Sequence, residues 1–560
     1  MVNLNKRTVY TTVAAITLIA VVSLIFYGTL KDEGRVTYSM IENAAALIGL
    51  EFTRAEKDSM LGDLNDLLNS YDSLRAIEMP NSLTPAIVFN PILPGMVFED
   101  KLNGFSHNRP KNVERPENLE DVAFWPITKL AELIRTQKVS SVELTNMYLD
   151  RLRKYGPVLE CVITLTDDLA LQQAERADEE IAAGNYKGLL HGIPWGAKDL
   201  LATKGIKTTW GSVPFKEQVF DYDAAVVKKL EEAGAVLVAK LTLGALAWGD
   251  VWYGGKTKNP WNLDEGSSGS SAGPGAATAA GLVGFAIGSE TWGSIISPST
   301  RTGTTGLRPT FGRVSRKGAM ALSWTMDKLG PMTRSVSDAA IVFNAIYGPD
   351  GEDLTVVDKP FNYNENIDLS TLKIGYLKAE FDKERDQKAI DDEVLDVLWA
   401  LGAELVPIEF PDFPVYDIAF ILSAEAAAGF DKLTRSGDDD KLVRQKKQAW
   451  PNVFRQARLI PAVEYINANR ARTLLMMELE TLFKSVDVFV APTFGSGDLL
   501  ATNLTGHPAV VLPNGFRENG TPTSITFTGK LYDEGRLLAV AGAYQNATDF
   551  HLRYPVLPEK

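Results

Sequence analysis

Residues 266–281 read GSSGSSAGPGAATAAG and consist only of Gly, Ser, Ala, Pro and Thr. A core strand rarely contains so many glycines, because Gly loses more conformational entropy on folding than any other residue. The stretch therefore predicts either a flexible linker or a catalytic loop whose backbone N–H groups approach a ligand. The loop is favoured, since Ala276–Ala280 is a good helix former and Leu282–Ile287 is apolar enough to be buried.

The segments around this loop alternate between helical and strand patterns. Ser140 and Glu143 have the spacing of a capping box and predict the start of a helix, and a second helix is expected from Ala170 to Ala183. Asp223 is the expected N-cap of a helix over 224–233. Strands are predicted at 235–239, 373–377, 486–491 and 509–512. Helices alternating with short apolar strands indicate an α/β fold whose sheet is covered on both faces.

The N-terminus carries a long uncharged segment. Between Arg7 and Lys31 lie 23 residues without a charge, and a helix of that length is about 34 Å long, enough to cross the roughly 30 Å hydrocarbon core of a bilayer. Residues 8–30 are therefore predicted to be a transmembrane anchor, with a cleaved signal peptide or a buried helix as alternatives. Lys6 and Arg7 precede this segment, so the positive-inside bias predicts that the large C-terminal part lies outside the cytoplasm, periplasmic or extracellular, or is secreted after cleavage.

Residues 31–120 are predicted to form an extension to the main domain. Apolar residues spaced by three and four over 36–78 indicate two amphipathic helices. Six prolines from Pro80 to Pro116 disfavour a long helix or a central strand. This Pro-rich part is expected either to wrap on the main domain or to act as a plain linker. Residues 121–560 would then form one large domain.

Charge and residue counts exclude several functional classes. The chain has 57 Lys plus Arg against 71 Asp plus Glu and a net charge of −14, which argues against a general nucleic-acid binder. Its single Cys, Cys161, cannot form an internal disulfide, and its four His are too dispersed for a zinc-ligand motif. The counts therefore argue against a disulfide framework and against a zinc site built from these residues.

Two short motifs place serines in familiar hydrolase patterns. Gly269-x-Ser271-x-Gly273 matches the G-x-S-x-G motif of α/β-hydrolases, with His507 or His551 available as the base. That motif follows a buried strand, whereas Asn262–Gly266 is polar and predicts a turn. Ser370-x-x-Lys373 matches the β-lactamase S-x-x-K motif, but no K-T-G motif accompanies it. A serine esterase that uses Ser271 therefore stays only as an alternative.

Three segments resemble the amidase signature family. They are Gly192-Ile193-Pro194-Trp195-Gly196-Ala197-Lys198-Asp199, Gly269-Ser270-Ser271-Ala272-Gly273 and Thr291-Trp292-Gly293-Ser294-Ile295. They are similar to the family's G-I-P-x-x-x-K-D, G-S-S-x-G and T-G-G-S-I patterns. The resemblance covers about residues 121–560 and is strong from 190 to 340. It implies a single large α/β/α domain around a mixed sheet and an amide hydrolase that needs no metal or cofactor.

The resemblance also implies a catalytic triad of Lys198, Ser270 and Ser294. Amide hydrolysis needs a group that acts first as a base and then as an acid towards a poor amine leaving group. A buried Lys can do both, because burial disfavours its charged form. Ser294 would form the acyl-enzyme, and Ser270, which follows a cis peptide bond, would relay the proton. The implied oxyanion hole consists of the backbone N–H groups of Thr291, Trp292, Gly293 and Ser294.

Two departures from the family pattern leave the substrate open. Trp292 replaces the first Gly of the G-G-S segment, and Ile296 stands where many members have Arg. The expected function is hydrolysis of a carboxamide C–N bond in a small-molecule amide. The alternatives are an ammonia-generating, glutaminase-type subunit of a tRNA amidotransferase and a catalytically silent binding protein.

Overall fold

The computed structural model describes residues 35–558, so the predicted anchor over 8–30 lies outside the described residues. The chain divides into two units, Met1–Pro80 and Asn81–Lys560. The described part of the first unit contains helices α1 (Tyr38–Leu47) and α2 (Arg54–Arg75), each beginning after a Thr whose side chain caps a backbone N–H group. The two amphipathic helices predicted over 36–78 are thus present.

An eleven-stranded mixed sheet lies at the centre of the second unit. The strands in chain order are β1 (Val162–Leu165), β2 (Pro194–Lys198), β3 (Val236–Leu241), β4 (Phe285–Glu290), β5 (Thr305–Arg308), β6 (Lys328–Thr333), β7 (Lys373–Leu377), β8 (Glu404–Ile408), β9 (Val488–Pro492), β10 (Ala509–Phe516) and β11 (Pro522–Gly529). Their spatial order is β8-β7-β9-β11-β10-β5-β6-β4-β2-β3-β1. β2 pairs in parallel with β3 and β4, β7 pairs in parallel with β8 and β9, and the remaining pairs are antiparallel. The predicted α/β fold with a mixed sheet is confirmed.

Fifteen α-helices surround this sheet in the described part of the second unit. They are α3 (Ile127–Arg135), α4 (Ser141–Leu159), α5 (Asp167–Ala182), α6 (Ala225–Glu232), α7 (Ala272–Ala279), α8 (Ile296–Thr302), α9 (Val336–Ile346), α10 (Lys378–Phe381), α11 (Lys388–Ala400), α12 (Phe420–Gly429), α13 (Asp431–Ser436), α14 (Trp450–Ala457), α15 (Ala462–Phe483), α16 (Asp498–Thr505) and α17 (Glu534–Asn546). Short two-stranded pairs lie outside the main sheet at 105–106 with 363–364, 251–252 with 255–256, and 258–259 with 262–266.

The alternation of side chains along β3 shows how the helices cover both faces of the sheet. Val236 and Val238 belong to a core that includes Leu149 of α4, whereas Leu237 belongs to a second core with Ile134 of α3. Successive side chains of a strand point to opposite faces, so the two cores lie on the two sides of the sheet. This arrangement is the α/β/α layering expected from the sequence.

Helix starts show where the local prediction was right and where it failed. Ser140 and Glu143 form the predicted capping box, with the Glu143 N–H donating to Ser140 Oγ at 3.0 Å and the Ser140 N–H to Glu143 Oε2 at 2.9 Å. The prediction that Asp223 caps the next helix was wrong. Ala224 is the N-cap residue of α6, and the Asp223 carboxylate instead accepts the backbone N–H of Lys204 at 2.8 Å. The hydrogen bond with Lys204, 19 residues away in sequence, therefore replaced the expected local helix cap.

The Pro-rich segment after Pro80 packs along the second unit. Asn81 accepts the backbone N–H of Ala321 at 2.7 Å and donates to the Ala321 carbonyl at 2.9 Å. The guanidinium Cζ of the buried Arg472 lies 3.5 Å from the centroid of the Phe89 ring. These contacts favour a wrapped segment over a plain linker. The predicted extension 31–120 thus spans the boundary between the two units.

Candidate active site

Lys198 lies at the end of β2, inside the second unit, and is completely buried. Its Nζ is 2.8 Å from Ser270 Oγ, 3.0 Å from Ser271 Oγ and 2.8 Å from Ser289 Oγ. Ser289 lies on β4, which pairs in parallel with β2 and so carries its hydroxyl to the same end of the sheet. Lys198 therefore contacts three serine hydroxyls and forms no ion pair within residues 35–558.

The electrostatics of this position favour a neutral amine. Burial lowers the pKa of Lys198 well below its ordinary value, and the carboxylates of Asp327 and Glu290 offset this shift only in part. A neutral amine has a lone pair that can accept a proton from an adjacent hydroxyl. Lys198 is thus suited to act as a general base towards Ser270.

The Gly- and Ser-rich stretch forms the turn into α7 and the helix itself. The Gly269–Ser270 peptide bond is cis, as the family resemblance implied. A Cβ on Gly269 would lie 1.9 Å from the Gly249 carbonyl oxygen, and one on Gly273 would lie 2.4 Å from the Thr242 nitrogen. Only Gly fits at these two positions, because neighbouring backbone is so close. The composition of 266–281 therefore reflects tight packing of a buried helix and of the turn that precedes it.

The arrangement around Ser271 does not support the alternative nucleophile. Its hydroxyl accepts the Ser289 N–H at 3.1 Å and donates to the Ser289 carbonyl at 3.1 Å, and the residue is completely buried. His507 instead contacts Thr505 at 2.8 Å, and burial lowers the pKa of His507 to about 3. Asn262–Gly266, predicted as a turn, is a strand, but it pairs only in a hairpin outside the main sheet. The elbow geometry of an α/β-hydrolase is not formed.

Ser294 lies in a cavity of about 740 Å³. The cavity is also lined by Ser268, Gly269, Thr291, Trp292 and Gly293, so both implied catalytic segments reach it. The Ser294 carbonyl accepts the N–H of Ser271 at 3.1 Å, which ties the two segments together. Its hydroxyl has no hydrogen-bond partner in the described part of the chain. Among Ser270, Ser271 and Ser294, Ser294 is thus the accessible serine.

The turn that holds Ser294 is supported by Glu290, at the end of β4. Glu290 Oε2 accepts the N–H groups of Ile295 at 2.8 Å and Ile296 at 2.9 Å, where α8 begins. Glu290 Oε1 accepts from Arg308 at 3.0 Å and from Asn503 at 2.8 Å. Burial acts to raise the pKa of Glu290, but the Arg308 guanidinium and the donated hydrogen bonds outweigh it and hold the pKa below its ordinary value.

Because Glu290 pairs with the N–H groups of Ile295 and Ile296, the N–H groups of the preceding residues of the turn stay available to a ligand. Over residues 35–558, no protein acceptor pairs with the N–H groups of Thr291, Trp292, Gly293 or Ser294. Gly293 has a φ of +82°, a conformation that favours Gly. The Thr291 hydroxyl donates to Asp327 Oδ1 at 2.6 Å and fixes the start of the turn. Such a turn can donate hydrogen bonds to a developing oxyanion.

Three residues of this site were not predicted from the sequence: Ser289, Glu290 and Asp327. Ser289 and Glu290 directly precede the Thr291–Ser294 segment, so their position gave a local signal that they belong to the site. Their hydrogen-bond partners gave no such local signal, because Ser289 is 91 residues from Lys198 in sequence. Among the described residues, no group of three or more His, Cys, Asp or Glu side chains is arranged to hold a metal ion.

Comparisons with known sequences show which family the chain resembles. A sequence model of the family described as Amidase matches residues 143–499. The chain is 34% identical over 491 residues to a protein of Acinetobacter baumannii that is named as one of the subunits of glutamyl-tRNA(Gln) amidotransferase, covering 79% of this chain and all of the relative.

Solved structures show the same fold. The peptide amidase of Stenotrophomonas maltophilia superposes with a TM-score of 0.70 at 29% identity, covering 78% of this chain and 99% of that one. An amidase family protein of Bacillus anthracis superposes with a TM-score of 0.70 at 26% identity, covering 78% of this chain and 93% of that one.

These findings correct one prediction and decide the family. The expected localisation, a membrane-anchored domain outside the cytoplasm, was wrong, because the matched relatives are named as subunits of an amidotransferase for glutamyl-tRNA(Gln). Within residues 35–558, we find no helix with the length and apolarity needed to cross a bilayer. With its match to the family model and 34% identity along the full length of a relative, the chain belongs to the amidase signature family of amide hydrolases.

Proposed function

We propose that this protein hydrolyses an uncharged, apolar carboxamide through an acyl-Ser294 intermediate, with Lys198 and Ser270 moving the proton. The observation that carries this proposal is the 2.8 Å contact between Ser270 and the buried Lys198, whose pKa is lowered by burial, next to the cavity that holds Ser294. A buried lysine without a carboxylate partner is costly to the fold, and a catalytic role accounts for its presence.

The first half of the reaction forms the acyl-enzyme. Ser294 Oγ attacks the carbonyl carbon, its proton passes to Ser270 Oγ, and the Ser270 proton passes to Lys198 Nζ. The carbonyl oxygen becomes an oxyanion that accepts hydrogen bonds from the N–H groups of the 291–294 turn. When the C–N bond breaks, the proton returns from Lys198 through Ser270 to the leaving nitrogen. The products of this half are an amine or ammonia and the Ser294 ester.

The second half releases the acid. A water molecule loses a proton to Lys198 through Ser270 and attacks the ester carbon, and the returning proton restores the Ser294 hydroxyl. Lys198 acts as base and acid in turn, so no histidine is required. Apo geometry is often looser than in the complex, which is consistent with the unpaired Ser294 hydroxyl in this structure.

The lining of the cavity indicates the substrate class. It contains no charged side chain among the described residues. Its aromatic members are Trp248, Trp292, Tyr416, Phe420, Trp450 and Phe494. A zwitterion such as glutamine would lose its hydration here without gaining partners for its ammonium and carboxylate groups, which costs several kcal/mol per unpaired charge. An apolar amide has no such cost and gains from burial.

A second candidate function comes from the relatives. They are named as one type of subunit of glutamyl-tRNA(Gln) amidotransferases, so this chain could release ammonia from glutamine within a larger assembly. The uncharged cavity is the observation that favours the first proposal over this one.

The two functions are separated by a substrate panel. The wild-type chain is expected to hydrolyse benzamide and hexanamide at least tenfold faster than glutamine or asparagine, measured as released ammonia. Ser294→Ala and Lys198→Ala are each expected to lose about 10³-fold or more in kcat/KM, as for other nucleophile and base removals.

Matched controls are Ser485→Ala and Lys228→Ala, which change exposed residues away from the cavity and should leave the rate unchanged. A fluorophosphonate probe should label Ser294, located by mass spectrometry. Labelling of Ser271 would support the esterase alternative, and faster turnover of glutamine would support the amidotransferase role. A folded wild type with neither labelling nor turnover would identify a silent binding protein.

A further inference from the structure

Three aromatic side chains at the active-site cavity are unusually exposed. Trp292, Tyr416 and Phe494 are 40%, 62% and 51% exposed, and all three line the cavity that holds Ser294. Large aromatic groups bury most of their surface in a folded protein. Exposed apolar surface that converges on a cavity is typical of a ligand-binding site rather than of a plain surface.

Trp292 has the most direct relation to the reacting atoms. It lies within the oxyanion turn, two residues before Ser294, so its indole is covalently tied to the backbone that would hold the substrate carbonyl. Its ring centroid is 6.2 Å from that of Tyr416 at an interplanar angle of 49°. The indole is therefore held on one side by Tyr416, while two fifths of its surface is uncovered.

We propose that Trp292 determines substrate specificity by acting as a platform for a flat, apolar group of the amide, so that aryl amides are preferred over short alkyl amides. This inference rests on the proposed function and names the substrate class of the same site. The indole loses little conformational entropy when a ring covers it, because the side chain has only two rotatable bonds. Stacked aromatic pairs gain free energy beyond that of area burial.

Trp292 would have the opposite role if its indole excluded bulky substrates from the cavity. The geometry argues against such a size filter. About 740 Å³ remains beside the indole, within the 300–1,000 Å³ range of pockets that hold drug-sized ligands. Trp292 thus does not close the cavity. A filter would also require the indole to fill space that substrates compete for, whereas Trp292 lines the cavity and is 40% exposed.

The test compares two inhibitors that differ only in the ring. A boronic acid accepts Ser294 Oγ as a fourth ligand on boron, so a B–O bond forms as the Ser294 O–H bond breaks. The Ser294 proton passes to Ser270, and the Ser270 proton passes to Lys198 Nζ. Inhibition constants of phenylboronic acid and methylboronic acid are measured for the wild type, Trp292→Ala, Trp292→Phe and Trp399→Ala. Trp399 is 73% exposed on α11, does not line the cavity, and is the matched control.

We expect Trp292→Ala to weaken phenylboronic acid about tenfold and methylboronic acid less than twofold. Tenfold corresponds to about 1.4 kcal/mol, the free energy of covering roughly 55 Å² of apolar surface. Trp292→Phe should retain most of the phenyl preference, and Trp399→Ala should match the wild type. The ratio of hydrolysis rates of benzamide and acetamide should change in parallel.

Two other results with the boronic acids would overturn the inference. Equal weakening of both boronic acids would assign Trp292 to the oxyanion turn alone, and tighter binding of the phenyl compound to Trp292→Ala would identify a size filter. Loss of folding, monitored by thermal unfolding, would leave Trp292→Phe as the deciding variant, which must keep the phenyl preference. A wild type that hydrolyses amides but shows no phenyl preference contradicts only this inference, whereas a wild type without amide hydrolysis contradicts the proposed function as well.

Discussion

A buried lysine without an ion pair is the residue on which the proposed chemistry depends. Burial lowers the pKa of Lys198 well below the ordinary lysine value, which favours the neutral, basic amine in the folded protein. The rate needs this neutral form. We therefore predict that kcat/KM rises with pH through the lowered pKa of Lys198 and is already on its plateau well below pH 10.4, the ordinary lysine pKa. A pH–rate profile checks this.

The same shift predicts a pH-dependent stability. Between the lowered pKa of folded Lys198 and the ordinary pKa of the unfolded chain, the unfolded state binds one more proton, so the free energy of unfolding rises with pH. Lys198→Met should be more stable than the wild type at pH 7, with the difference shrinking towards pH 11 in urea unfolding. Lys198→Arg, which stays charged, should be inactive at every pH. A rate that rises only near pH 10 would contradict a neutral Lys198.

At the scale of elements, the turn between β4 and α8 is held by one carboxylate. Glu290 accepts the N–H groups at the start of α8 and pairs with the buried Arg308. Glu290→Gln keeps the shape but removes the charge, which leaves Arg308 buried without a counter-charge. We predict a loss of about 3 kcal/mol in the free energy of unfolding. We also predict a fall in kcat of roughly tenfold or more, because oxyanion donors must be held accurately.

Glu534→Gln is the matched control for this prediction. Glu534 pairs with the buried Arg313 and accepts the Thr310 N–H at 2.9 Å, in a part of the fold that does not line the Ser294 cavity. Both variants should lose stability, and only Glu290→Gln should lose kcat at temperatures where both are folded. An equal kcat for the two variants would show that Glu290 serves the fold alone. Since the pKa of Glu290 is lowered, its contribution to stability should be complete above the ordinary Glu pKa and should be lost as the pH falls from there through that lowered value.

At the scale of the whole molecule, the two units predict where the chain can be shortened. The unit Asn81–Lys560 contains the main sheet, its cores and every residue of the candidate site. We predict that a chain beginning at Asn81 keeps kcat/KM within about twofold of the full chain. A chain beginning at Asp121 loses the contacts of Asn81, Phe89 and Phe98, and its free energy of unfolding should fall by about 3 kcal/mol or more. Equal unfolding midpoints in urea for the two truncated chains would contradict the wrapped segment.

Much of this fold was predictable because its signals are local. Hydrophobic spacing, capping residues and strand patterns depend on neighbours within one or two turns, so α1, α2, the capping box of α4 and strand β7 lie where the sequence predicted them. Asp223 shows the limit of such signals. Its carboxylate bonds Lys204 rather than the helix that follows it, and no periodicity could indicate that choice.

The proposed catalytic residues could be predicted from the chain alone, since Lys198, Ser270 and Ser294 stand in segments that resemble a known family. What required the folded structure was the setting of those residues: the burial that lowers the pKa of Lys198, the Ser289 hydroxyl that contacts it, the Glu290–Arg308 pair that supports the turn before α8, and the cavity, which has no charged side chain among the described residues. Each of these depends on residues that are not neighbours in the sequence and that only the fold brings together. Desolvation and hydrogen bonding act through space, so local patterns carry no record of them.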